Sequence, residues 1–146
     1  MSVILTAVAE LSYMSEGILV TRLLEDADIT YENSVDNFKT AMTLTGGKRY
    51  AAFTDARASI SISKEALEYG SSEEANHFLI AQAILITSLP NRILGNFMIK
   101  FHKPQAPTKL FSDQEQALKW LREQLVLEDE RNTPEKKKVS TFLRKS

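Results

Sequence analysis

The order in which turn signals interrupt the hydrophobic runs constrains this chain more than any single motif. Two short apolar runs come first, a helical period follows, and strand-like and helical stretches then alternate as far as Leu125. That order implies an α/β layer structure: a single domain with a mixed, mostly parallel sheet of about five strands and about four helices, in the sequence ββαβαβαβα. Parallel crossovers gather strand C-termini at one edge, where folds of this kind usually carry their sites.

The individual elements follow from local chemistry. Thr6 to Met14 alternates through Ala7, Ala9, Leu11 and Tyr13 as a half-buried strand does. Ser15-Glu16-Gly17 is a turn, Ile18 to Leu24 completes a hairpin, and Glu25-Asp26-Ala27-Asp28 breaks the pattern. Thr30 then caps a helix with Tyr31, Val35, Phe38 and Met42 on its apolar side, and Gly46-Gly47 stops it. Tyr50 to Ala56 is compact and apolar, suited to a central strand with helices on both faces. Ser63 caps a short helix, and Ser71 or Ser72 caps a further turn after Gly70. Ile80 to Ile86 reads as another buried strand, and Pro90 opens a helix that reaches Phe101. After an extended Lys103 to Pro107 connection and a short strand from Thr108 to Phe111, Ser112 and Glu115 read as a capping box. The last helix buries Ala117, Leu118, Leu121 and Leu125.

Composition narrows the function classes. The 146 residues are enough for one domain with its own core. A net charge of -1 argues against a nucleic-acid surface. The chain has no cysteine, which excludes disulfides, thiolate metal sites and cysteine nucleophiles, and which suits a reducing compartment. MSVILTAVAELSY has neither the basic start nor the continuous apolar core of a signal peptide. No apolar run approaches the roughly 20 residues of a membrane span. A cytoplasmic protein without stable membrane insertion is therefore expected. From Glu128 a proline and many charges take over, so the domain is expected to cover residues 1–127 and a flexible charged tail residues 128–146, with a last helical turn near Val139 to Leu143.

The element order resembles the STAS fold of bacterial anti-sigma-factor antagonists. Three motifs in the second half are similar to a family of small, uncharacterised, largely bacterial STAS-like proteins. They are Arg92-Gly95-Asn96-Phe97, then Lys103-Pro104-Pro107-Thr108-Lys109-Leu110-Phe111, then Ala117-Leu118-Trp120-Leu121. Thr54-Asp55-Ala56-Arg57 and Ser61-Ile62-Ser63-Lys64-Glu65-Ala66 also resemble that family. The resemblance implies a binding or regulatory module that engages a protein. Anti-sigma-factor antagonists carry a phosphorylated hydroxyl in an Asp-Ser-Ser/Thr-Gly-like turn at the second helix. Ser63-Lys64-Glu65-Ala66 stands there instead, without that hydroxyl or the glycine, although Ser63 lies next to it. The related CRAL-TRIO lipid-binding fold is a looser analogy, because those domains are longer and have a gate helix not found here.

With the sheet drawn this way, Asp55 and Arg57 leave the central strand at its C-terminal end, and Thr87 and Ser88 leave the next strand at the same edge. Arg92 and Asn96 are four apart and share one helix side, and Ser63 sits at a helix N-terminus that favours anions. These seven residues make a candidate polar site for a carboxylate, a phosphate or an acidic side chain of a partner. The bland alternative is that Asp55 pairs with Arg57 or Arg92, Asn96 satisfies backbone groups and Ser63 only caps. His77 could pair with Glu73 or Glu74, and His102 complements a helix end; no spacing of ligands supports a metal, and no cofactor is implied. Ile93, Leu94, Phe97, Met98, Ile99 and Phe101 make the helix from Pro90 apolar nearly all round. Its outer side could pack on Trp120, meet a second copy in a homodimer, or hold an apolar small molecule.

The expected function is a non-enzymatic module binding a protein partner through the strand edge and the Ser63 to Asn76 region. One alternative is a carrier of a small apolar or acyl ligand between the Pro90 to Phe101 helix and the sheet. Another is an enzyme using Asp55 as acid or base, with Arg57 and Arg92 clamping an anion.

Overall fold

The computed structural model describes residues 2–132. Strands β1 (Val3–Leu5), β2 (Ala9–Met14) and β3 (Ile18–Leu23) form an antiparallel meander. Between them and the next strand of the sheet come β4 (Ala27–Ile29) and helix α1 (Tyr31–Thr45). Strand β5 (Tyr50–Asp55) adds parallel to β3, and β6 (Ile60–Ile62), α2 (Lys64–Gly70) and α3 (Glu73–Asn76) follow it. Strand β7 (Leu79–Leu85), α4 (Leu89–Phe101), β8 (Thr108–Phe111) and α5 (Gln114–Arg131) complete the chain, with β7 parallel to β5 and β8 parallel to β7. The main sheet therefore has six strands in the order β1-β2-β3-β5-β7-β8, while β4 and β6 pair separately, in parallel.

Alternation along the strands sorts the residues onto two faces. Ile18, Ala51, Phe53, Ala83 and Leu85 pack against Ala117 and Leu121 of α5. Leu19 and Ala52 point the other way, towards Ala41 of α1, and Ile84 and Ile86 meet Met98 of α4. Gly95 allows that last approach: a Cβ there would lie 3.0 Å from Ile86 and 3.2 Å from Leu110. The mini-sheet of β4 and β6 buries Ala27 and Ile29 with Leu11 and Ala66, on the α1 side.

The expected order ββαβαβαβα is the framework of this fold, with three short strands and one short helix added to it. Strands β1, β4 and β6 were missed because three residues are too few to show a period. Asp28 in particular reads as a breaker, yet it points outward between buried Ala27 and Ile29. The cap of α5 is Asp113, whose side chain accepts from the Glu115 amide at 2.8 Å, and not Ser112. Helix α5 also runs past the expected boundary at residue 127. Its Glu128 is buried and forms an ion pair with Arg49, and Asn132 donates to the same carboxylate. The tail expected beyond, with its helical turn near Val139, lies outside the described residues from 133 onward.

Candidate functional site

At the C-terminal edge of the sheet, Asp55 is 4% exposed. Its Oδ1 accepts from the Arg57 backbone amide at 3.2 Å and from Arg57 Nε at 2.9 Å, and its Oδ2 accepts from Arg57 Nη2 at 2.7 Å. Arg22, its register partner on β3, brings Nε to 3.4 Å of Oδ2. Burial by itself would raise the Asp55 pKa, but the hydrogen bonds from Arg57, with the charges of Arg57 and Arg22, hold it below the usual carboxylate range. Three hydrogen bonds thus occupy most of the acceptor sites of this carboxylate. The pairing with Arg57 anticipated from sequence is what forms.

The other expected polar residues do not converge on Asp55. The Ser63 hydroxyl accepts from the Ala66 amide at 3.1 Å as the cap of α2. Ser88 caps α4, accepting from the Asn91 amide at 3.3 Å, and Thr87 beside it is exposed. Arg92 and Asn96 lie exposed on α4, and their side chains make no hydrogen bond or ion pair among the described residues. Arg92 borders a small recess of about 110 Å³ with Ile86, Leu110 and Ser112. Asn91, which sequence reasoning passed over, is the polar residue that ties this region together. Buried at the base of α4, it donates to the carbonyl oxygens of Ala56 at 2.8 Å and Ala58 at 2.7 Å.

The histidines take no part in a site. His77 packs edge-on against Phe78 with ring centroids 4.7 Å apart, and not against Glu73 or Glu74; His102 follows the last turn of α4 near Phe97. Among the described residues no group of three or more His, Cys, Asp or Glu side chains could hold a metal. No described helix is long and apolar enough to cross a membrane.

Helix α4 divides the apolar residues singled out in the sequence. Leu94 and Met98 turn inward, whereas Phe97 and Phe101 are exposed and stack with centroids 4.9 Å apart. Trp120 does not cover them: it sits on α5, across the sheet, against Phe111 at 5.7 Å. The crossover sends α4 and α5 to opposite faces, so Trp120 leaves Phe97 and Phe101 uncovered and shares only a recess at the β8 edge with Ile99.

Behind α4 lies a feature with little trace in the sequence. A cleft of about 220 Å³ runs between the sheet and α4, and a second of about 200 Å³ runs between the sheet and α1. They meet at Ser34, Asn37, Thr54, Gly70 and Gln82, which line both. Space exists because Ala52, Ala56 and Ala66 present only methyl groups there. The sheet floor is unusual. Thr21, Thr54 and Gln82 stand on the same face of three adjacent interior strands, where apolar side chains are the norm. Among the described residues none of those three side chains, nor that of Ser34, makes a hydrogen bond. Asn37 accepts from the Thr6 hydroxyl at 2.8 Å through Oδ1, which leaves its amide nitrogen uncommitted.

Residues 12–125 match the family described as a domain of unknown function (DUF7793). The chain belongs to the DUF7793 family. No curated protein matches it. Among solved structures, this DUF7793 chain is similar to the crystal structure of an uncharacterised DUF3478 protein with a SpoIIAA-like fold from Shewanella loihica PV-4. The TM-score is 0.56 at 18% identity, with 83% of this chain and 98% of that one covered. The DUF7793 chain thus has the STAS-like architecture that its element order and motifs led us to expect.

Proposed function

We propose that this DUF7793 protein is a non-enzymatic, cytoplasmic interaction module that binds a protein partner through the outer side of α4. The observation that carries this reading is one row of side chains. Leu89, Ile93, Phe97 and Phe101 are 69%, 61%, 45% and 61% exposed. Residues four apart lie one above another on a helix, so the row is continuous along the whole of α4. A stripe of that kind is the usual mark of an interaction surface, whereas scattered apolar residues need no explanation.

Charge favours one class of occupant. Helix α4 contains Arg92 and Lys100 and no carboxylate, and Lys103 follows it. A second copy docked by the same side would oppose like charges across a symmetric contact. An amphipathic helix with carboxylates beside its apolar residues would satisfy both the stripe and the cations. The strand edge is a poorer docking site than sequence suggested, because Asp55 is already committed to Arg57 and Ser63 to its cap. The same commitment weighs against an enzyme built on Asp55.

A photo-crosslinking side chain placed at Phe97 in the native host tests this, with the same group at Lys119 on α5 as control. The expected product is one protein joined through an acidic amphipathic segment, lost when Ile93 is changed to Glu and weakened by added salt. A product with a second copy of this chain, or equal products from both positions, would refute the reading.

A further inference from the structure

We infer that the paired clefts between the sheet and the α1–α4 layer are a binding site for an uncharged amphiphile with its polar group near the middle of the molecule. Three observations converge on this. First, neither cleft is lined by any Asp, Glu, Lys, Arg or His, so a charged ligand would sit there unpaired, at a large desolvation cost. Second, the polar atoms are concentrated where the clefts meet. Thr54 and Gln82 rise from the sheet and Ser34 and Asn37 from α1; the side chains of the first three make no hydrogen bond within the protein, and Asn37 keeps its amide nitrogen uncommitted. Third, the two ends are apolar in different directions, towards Ile84 and Leu94 on one side and Leu19 and Leu79 on the other.

The sequence carries no folding reason for this floor. Three neighbouring interior strands place Thr21, Thr54 and Gln82, all half-buried, on one face, where they forgo apolar burial without gaining a hydrogen bond from the protein. Half-exposed groups of this kind are open to water and to an entering polar group alike, and the surrounding apolar walls select a ligand that also brings hydrocarbon. Taken together, the two clefts fall within the roughly 300–1,000 Å³ of small-molecule sites. The class that fits is a neutral alcohol, ketone or ester with an apolar arm on each side of its oxygen. Buried Tyr50 at the far end of the smaller cleft stays a neutral phenol, since burial pushes its pKa up to about 12.

The test is an amide chemical-shift titration of the full chain with two probes of equal carbon count: dibutyl carbinol, whose hydroxyl lies between two butyl arms, and nonanoate. Dibutyl carbinol is expected to bind saturably, with shifts at Thr54, Gln82, Ser34 and Asn37, and nonanoate at least tenfold more weakly. Gln82→Leu keeps the bulk and removes the amide, so it should weaken dibutyl carbinol about three- to tenfold. If that variant does not fold, Thr54→Val supplies the same comparison from the neighbouring strand. Equal affinity for nonanoate, shifts confined to the exposed row on α4, or no saturation up to the solubility limit would each overturn the inference.

Discussion

The side-chain amide of Asn91 donates to the Ala56 carbonyl oxygen at 2.8 Å, across the gap between the first turn of α4 and the end of β5. The same nitrogen donates to Ala58 at 2.7 Å, so one buried group satisfies two carbonyls that have left the sheet. Asn91→Leu fills a similar space but strands both acceptors. The expected loss is about 2–3 kcal/mol, measured as a lower urea midpoint with an unchanged slope. An unchanged midpoint would mean that water replaces the amide without cost, and that α4 is held by its apolar contacts alone.

The exposed side of α4 and the buried side of α5 should respond differently to truncation. Phe97 is half-exposed, so Phe97→Ala should cost below about 1 kcal/mol. Leu121, fully buried in α5 against the same sheet, should lose about 2–5 kcal/mol as Leu121→Ala. Arg92→Ala should stay within about 0.5 kcal/mol of wild type, because its guanidinium has no partner among the described residues. Thermal denaturation of the three variants side by side decides the point. A large loss at Phe97 would place that ring in the core and remove the docking stripe.

How much of this was legible in the sequence depended on the range of the interaction. Thr30, Ser63 and Ser72 cap the helices that they precede, because capping needs only residues within three positions. The ion pair of Asp55 and Arg57 is similarly local. By contrast, β4 and β6 find each other across 33 residues, as in the contact of Asp28 with Ser61, and nothing in either tripeptide announces it. The polar floor was hidden for a related reason. Thr21, Thr54 and Gln82 each look like an ordinary outward residue of an alternating strand, and only the register reveals that they share one half-buried face on the helix side. The outer stripe of α4 was visible as composition, but its exposure followed from the crossover that takes α5 and Trp120 to the opposite side.

Arg49 and Glu128 join the start of β5 to the last turns of α5. The Glu128 side chain is almost wholly buried while Arg49 is half in water. Arg49→Met leaves that carboxylate without its cation and should destabilise the protein by about 1–2 kcal/mol. Adding Glu128→Gln to Arg49→Met should restore much of the loss, since an uncharged amide tolerates burial better. Additive losses in the double-mutant cycle would show that the two side chains are energetically independent.

The last expectation concerns acid. Asp55 has a folded-state pKa below its ordinary value, held there against burial by Arg57 and then Arg22. Unfolded, it titrates near about 3.9. Because the folded form binds its proton less readily, the stabilisation is fully present above the unfolded value and is lost as pH falls through it towards the folded value. Wild-type protein should therefore lose stability below about pH 4 more steeply than Asp55→Asn, which cannot ionise. At neutral pH Asp55→Asn should be the less stable of the two, because Arg57 loses a charged acceptor for its Nε and Nη2 groups, and the gap should close as the pH falls. Half-exposure of both arginines keeps the neutral-pH difference modest, at about 1 kcal/mol. Urea midpoints from pH 3 to 8 for the two proteins test this directly. Parallel curves would show that Asp55 titrates alike in the folded and unfolded chain, and that the cluster at the strand edge is held by geometry without electrostatic consequence.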